Sequence, residues 1–178
     1  ALPIFLHSVQ YMRRGVKERE LAVLIEYLYR LHGAEPSFNT IVAAGKSAAT
    51  LHYHALDKTL KNGEFLLVDT GCELDMYACD VSRTIPIGPI KNPRLREIYS
   101  AVLRAQSAAI HRIRPGVRMS EIHKAAAVEM TRSLKDLGVL RGSLSKLVTT
   151  GAYKPFFPHG IGHSLGIDVH DASPEGVA

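Results

Sequence analysis

Residues 69–80 read DTGCELDMYACD. They follow the apolar run EFLLV and precede VSRTIPIG, so the stretch reads as two strands joined by a hairpin. Asp69 stands at the end of the first strand and Asp80 on the returning one. Antiparallel neighbours lie about 4.8 Å apart, so carboxylates on one face of a hairpin can share a divalent ion. An aspartate behind a buried run is costly when charged and unpaired, so a metal or a hydrogen-bond network must satisfy it. Two plainer readings stay open: Asp69 starting a turn with Thr70 and Gly71, and Asp80 pairing with Arg83.

Outward from the hairpin the chain echoes itself. RRGVKERELA (13–22) resembles RPGVRMSEIH (114–123) at an offset of 101, with Arg13/Arg114, Gly15/Gly116, Val16/Val117 and Glu20/Glu121 identical. Each copy leads into a stretch with apolar residues at three- and four-residue spacing, 20–33 and 121–138. Both stretches end at a glycine, a common residue just past a helix. Helices are also expected before each copy, over about 2–13 and 92–112. Between the helical pairs, 37–45, 49–55, 64–71 and 77–88 read as strands, with Pro86 and Pro89 closing the region. The order predicts helix, helix, strands, helix, helix, strands. That is an α+β fold with two similar halves around a mostly antiparallel sheet.

Composition narrows the class. The chain has 178 residues, 46% apolar and 22% charged, which suits one ordinary globular domain. The net charge of +5 comes from scattered Lys and Arg, and no basic stripe with interleaved aromatics argues for nucleic acid. No apolar run reaches the roughly 18 residues that span a membrane, and the start has no basic leader region. Cys72 and Cys79 are too few for a disulfide framework; reduced thiols in a cytosol-like compartment are favoured over a cross-hairpin disulfide.

A second concentration of chemistry lies in PHGIGHSLGIDVHD (158–171), with three of the nine histidines. His159 and His163 have the spacing of a helical zinc pair, but Gly160 and Gly162 disfavour a helix. In an extended segment the two still share a face. A neutral imidazole is a common metal ligand, and together with the two aspartates it favours a metal site over a loop of surface histidines.

SFNTIVAAGKSAATLHYH, VDTGCELDMYACDVSRT and FPHGIGHSLGIDVHD, in this order and spacing, resemble the pita-bread metallopeptidases, in the aminopeptidase P and prolidase branch. The resemblance covers nearly the whole chain and implies a pita-bread fold with two pseudo-symmetric halves. It implies two divalent metal ions, manganese first and zinc or cobalt as alternatives. Asp69 would chelate one metal, Asp80 would bridge both, and His163 would be a third ligand. His52 would assist proton shuttling, His159 would line a proline pocket, and His170 would hydrogen-bond near the substrate carbonyl. The implied reaction is hydrolysis of the bond between an N-terminal residue and proline through a metal-activated water. Prolidase activity on Xaa-Pro dipeptides and a non-catalytic binding module are the alternatives. The implied partner is a peptide with proline second; no nucleic acid or membrane is implied, homo-oligomerisation stays open, and the cytoplasm is the expected location.

One departure accompanies the resemblance. The family pattern has two glutamate ligands after the histidine motif. Here the acidic residues after His170 are Asp171 and Glu175, and neither stands in the expected context. Residues 1–178 are therefore expected to be a single pita-bread catalytic domain truncated at its C-terminus and lacking the usual N-terminal domain, with weak metal binding.

Overall fold

The computed structural model describes residues 1–172. They divide into two compact units, Ala1–Asn92 with Ser164–Ala172, and Pro93–His163.

The first unit begins with α1 (Leu2–Val9) and α2 (Glu18–Leu31). Six strands follow: β1 (Glu35–Pro36), β2 (Ile41–Ala44), β3 (Phe65–Thr70), β4 (Cys72–Leu74), β5 (Tyr77–Ala78) and β6 (Val81–Pro86). They form two antiparallel three-stranded sheets, ordered β2-β3-β6 and β1-β4-β5. Alternation along β3 decides its faces. Leu66, Val68 and Thr70 are buried, while Phe65, Leu67 and Asp69 are half-buried on the other face. The buried face meets Leu21, Ala22, Ile25 and Tyr29 of α2, with Phe5 of α1, Leu60 and Ile87 completing the core. Each fully buried Leu, Ile or Val there stabilises the fold by about 1.5–3 kcal/mol.

The second unit contains α3 (Pro93–Ile110), α4 (Met119–Asp136) and α5 (Leu144–Thr149). Ala101, Ala105 and Ala109 recur at four-residue spacing on α3 and are buried. Ala105 packs with Met130 and Leu134, and Ala109 with Ile122 and Ala126. The Arg104 guanidinium ties the two helices by donating to Ser133 Oγ at 2.9 Å.

The sequence echo is a structural repeat at the level of the turn. Val16 N–H donates to Arg13 O at 3.3 Å and Val117 N–H to Arg114 O at 3.2 Å. Gly15 and Gly116 have φ of +93° and +83°. Lys17 and Arg118 then cap α2 and α4 in the same extended conformation. Both helices end alike: Ala34 N–H donates to Tyr29 O and Val139 N–H to Leu134 O, around Gly33 (φ +77°) and Gly138 (φ +72°). These are Schellman ends, whose left-handed residue favours glycine.

Several expectations differ from the structure. Residues 49–55 are not a strand. Gly45–Ala49 is a 3-10 turn, and the chain then runs irregularly through His52 and Leu56, both at φ +51°. Alternation there misled because left-handed residues break the pleat. The strands expected after α4 are also absent among the described residues, where α5 and turns follow instead. Residues 158–171 carry three glycines, which weaken a strand, and form no strand. The helix expected over 2–13 stops at Val9, and that over 92–112 runs 93–110.

Candidate metal centre

The strand register fixes the place of Asp69. Asp69 on β3 is paired with Ser82 on β6, and Thr70 with Val81. Asp80 stands just before β6, two residues from Ser82. Asp69 lies on the half-buried face of β3, opposite the buried face that meets α2. Ser82 Oγ donates to Asp69 Oδ1 at 2.5 Å. This hydroxyl supplies part of the hydrogen bonding that an aspartate behind FLLV requires. Asp69 lies within β3 rather than starting a turn, and the Arg83 guanidinium donates to Ser82 O at 2.7 Å.

Gly71 lets the turn close. A Cβ there would overlap Cys79 O and press on Ser37 Oγ, so only glycine fits the close approach of β4 to the returning chain. Behind the hairpin, the Thr70 hydroxyl is 3.0 Å from Tyr29 OH and 3.2 Å from Thr40 Oγ1, all buried. Burial pushes the Tyr29 phenol up to about 12; the Thr70 bond offsets part of this, and the charges of Cys72, Cys79 and Asp80 add to it. Cys72 and Cys79 are free thiols, and burial pushes Cys72 upward, its contact with Cys79 adding to the shift.

The segment bearing His170 is pinned to the same hairpin. Ala78 N–H donates to Gly166 O at 2.8 Å, and Tyr77 OH to Leu165 O at 3.4 Å. His170 itself is exposed. Asp171 is half-buried with its N–H on Ser164 O at 3.2 Å, and Glu175 lies outside the described residues. His52 is exposed in its left-handed conformation. His159 and His163 belong to the second unit, His159 exposed with Nδ1 2.9 Å from Gly160 O and His163 half-buried. Among the described residues, no three His, Cys, Asp or Glu side chains come together as a metal cluster. The hairpin carries two carboxylates, Asp69 within β3 and Asp80 just before β6, and oxygen donors of that kind suit a hard divalent ion as part of a larger ligand set.

One residue escaped the sequence reading. Glu18, the first residue of α2, is fully buried. Its Oε1 accepts from Ala44 N–H at 2.7 Å, and its Oε2 from Lys58 N–H at 3.0 Å. Tyr53 OH lies 3.0 Å from Oε2 and 2.8 Å from Asp57 Oδ1. Glu18 thus fastens both ends of the segment that carries His52. The available signal was the internal echo, in which Glu18 stands opposite Met119.

The model of metallopeptidase family M24 matches residues 4–178. The chain belongs to family M24. It is 40% identical to the Xaa-Pro aminopeptidase of Haemophilus influenzae over 173 residues, which cover 96% of this chain and 40% of that protein. The Escherichia coli Xaa-Pro aminopeptidase is 36% identical over 95% of this chain and 38% of its own length. Among solved structures, the Pseudomonas aeruginosa aminopeptidase PepP superposes with a TM-score of 0.90 at 39% identity, over 97% of this chain and 39% of that one. This M24 chain thus has the α+β pita-bread architecture of the aminopeptidase P branch and spans about two fifths of the length of these relatives. No helix among its described residues is long and apolar enough to cross a membrane.

Proposed function

We propose that this M24 chain carries part of the catalytic domain of a metal-dependent Xaa-Pro aminopeptidase, releasing the first residue from peptides with proline second. The observation that carries the reading is the β3–β6 hairpin, with Asp69 on the half-buried face of β3 and Asp80 just before β6, in a chain 40% identical to an Xaa-Pro aminopeptidase. Asp69 and Asp80 are the proposed metal ligands of the hairpin, and His163 is proposed as a third. When bound, divalent metal, manganese by preference, supplies the Lewis acidity for peptide hydrolysis. Ser82 holds the Asp69 carboxylate in one orientation, since a hydroxyl on Oδ1 restricts its rotation. Proline lacks an N–H and fixes φ, so a site for it needs shape rather than a backbone acceptor. His52, His159 and His170 are proposed to face the peptide. The left-handed backbone of His52, sparsely populated by non-glycine residues, supports its role, because such conformations cluster at functional sites.

The test is release of the N-terminal amino acid from an Xaa-Pro-Yaa tripeptide, with and without Mn(II), beside calorimetric titration of Mn(II). Metal-dependent release that disappears in Asp69→Asn, together with at least tenfold weaker Mn(II) binding by that variant, is expected. Absence of release at every metal concentration, or release unchanged in Asp69→Asn, would sink the reading for this chain.

A further inference from the structure

Cys72 and Cys79 face one another across the β4–β5 hairpin. They continue the register Glu73↔Ala78 and Leu74↔Tyr77 by one step, and Cys79 N–H donates to Cys72 O at 2.9 Å. The two sulfurs are 3.6 Å apart. The Cys79 thiol donates to Cys72 O at 3.0 Å, and Cys72 N–H donates to Cys79 Sγ at 3.3 Å. Both side chains are half-buried, within reach of a small solute. A disulfide requires Cα atoms about 4.4–6.8 Å apart, and residues directly opposite on antiparallel strands are separated by about 4.5–5.5 Å. The sulfurs must close to about 2.05 Å, which side-chain torsion supplies without moving the ladder.

We infer that Cys72 and Cys79 form a redox modification site, which closes an intramolecular disulfide across the hairpin when the protein meets a peroxide. One sulfur attacks a peroxide oxygen, the O–O bond breaks, and a sulfenic acid and one water result. The second sulfur attacks that sulfenic sulfur; the S–S bond forms, the S–O bond breaks and a second water leaves. Two thiols lose two electrons and two protons, and hydrogen peroxide becomes two waters. A dithiol reductant reverses the step by exchange. The reaction needs neither metal nor peptide. Its product locks the turn whose two ends run into Gly71 and Asp80.

The test treats the reduced chain with hydrogen peroxide, alkylates under denaturing conditions and reads the mass. The expected product has lost two hydrogen atoms, takes up no alkylating reagent on either cysteine, forms no intermolecular disulfide and regains both thiols with dithiothreitol. In Cys72→Ser and Cys79→Ser the remaining sulfur should instead stop as a sulfenic acid that dimedone traps. The inference is overturned if both thiols remain alkylatable under peroxide that fully oxidises a free-cysteine control. It is equally overturned if the two cysteines are oxidised separately, giving dimedone adducts in the parent chain as readily as in the single variants.

Discussion

Residues 13–33 and 114–138 enter a helix through the same turn and then use it differently. At the first position of α2 stands Glu18, fully buried and bonded to Ala44, Tyr53 and Lys58. At the first position of α4 stands Met119, half-buried beside Ile122 and Ala126. The same offset sets Tyr29, bonded to Thr70, opposite Met130, buried between Ala105 and Leu134. The polar anchor in each pair belongs to the helix that packs on a sheet, and the methionine to the helix that packs on helices. Strands and the loops between them bring backbone N–H groups and hydroxyls beneath a covering helix, and buried polar groups must find partners. A helix satisfies its own backbone, so its neighbour needs only apolar fill. The repeat thus conserves a turn and lets the packing partner choose the side chain.

The comparison breaks most visibly at Glu18. Glu18→Ala should cost about 3 kcal/mol, because the Ala44 and Lys58 N–H groups lose their acceptor in a buried place. Urea denaturation measures this, and a loss no greater than that of Met119→Ala would remove the distinction between the halves. The helix ends test the opposite point, that the repeated backbone is equivalent. Gly33→Ala and Gly138→Ala should each cost about 1–2 kcal/mol, since both glycines are left-handed with open space around the missing Cβ. Unequal losses would show that the two ends differ in more than sequence.

Tyr29→Phe should cost about 1 kcal/mol at neutral pH through the lost bond to Thr70. Its pH dependence has a definite sign. The folded phenol titrates near 12 and the unfolded one near 10, so this contribution is whole below pH 10 and is lost as pH rises toward 12. The gap between parent and variant should therefore narrow over that window in alkaline denaturation, and a constant gap would argue against a buried phenol. Met119→Ala should have the smallest effect, about 1 kcal/mol, because its side chain is only half-buried.

Much of this was legible in the sequence, for local reasons. The turn, the helix ends and the apolar periodicity of α2 and α4 each depend on residues within a few positions of one another. The hairpin was legible too, since an apolar run ending in Asp-Thr-Gly and a returning strand-like run read as neighbours; the face on which Asp69 lies emerged only from the alternating burial along β3. The segment 49–55 was not, because a left-handed residue at His52 or Leu56 leaves the alternation of side-chain types intact while abolishing the strand.

By itself the sequence determined the two turn–helix units, the antiparallel hairpin and the family to which the chain is similar. All of these follow from short-range sterics, from a period of two or 3.6 residues, or from motifs in order. Only the tertiary structure decided that Glu18 holds the His52 segment across separations of 26 and 40 residues. It likewise decided that Ser82 meets Asp69, that Tyr29 lies beneath Thr70, and that two thiols stand 3.6 Å apart. Those pairings depend on register and on which faces pack, and a buried polar group has no sequence signature until the fold supplies its partner.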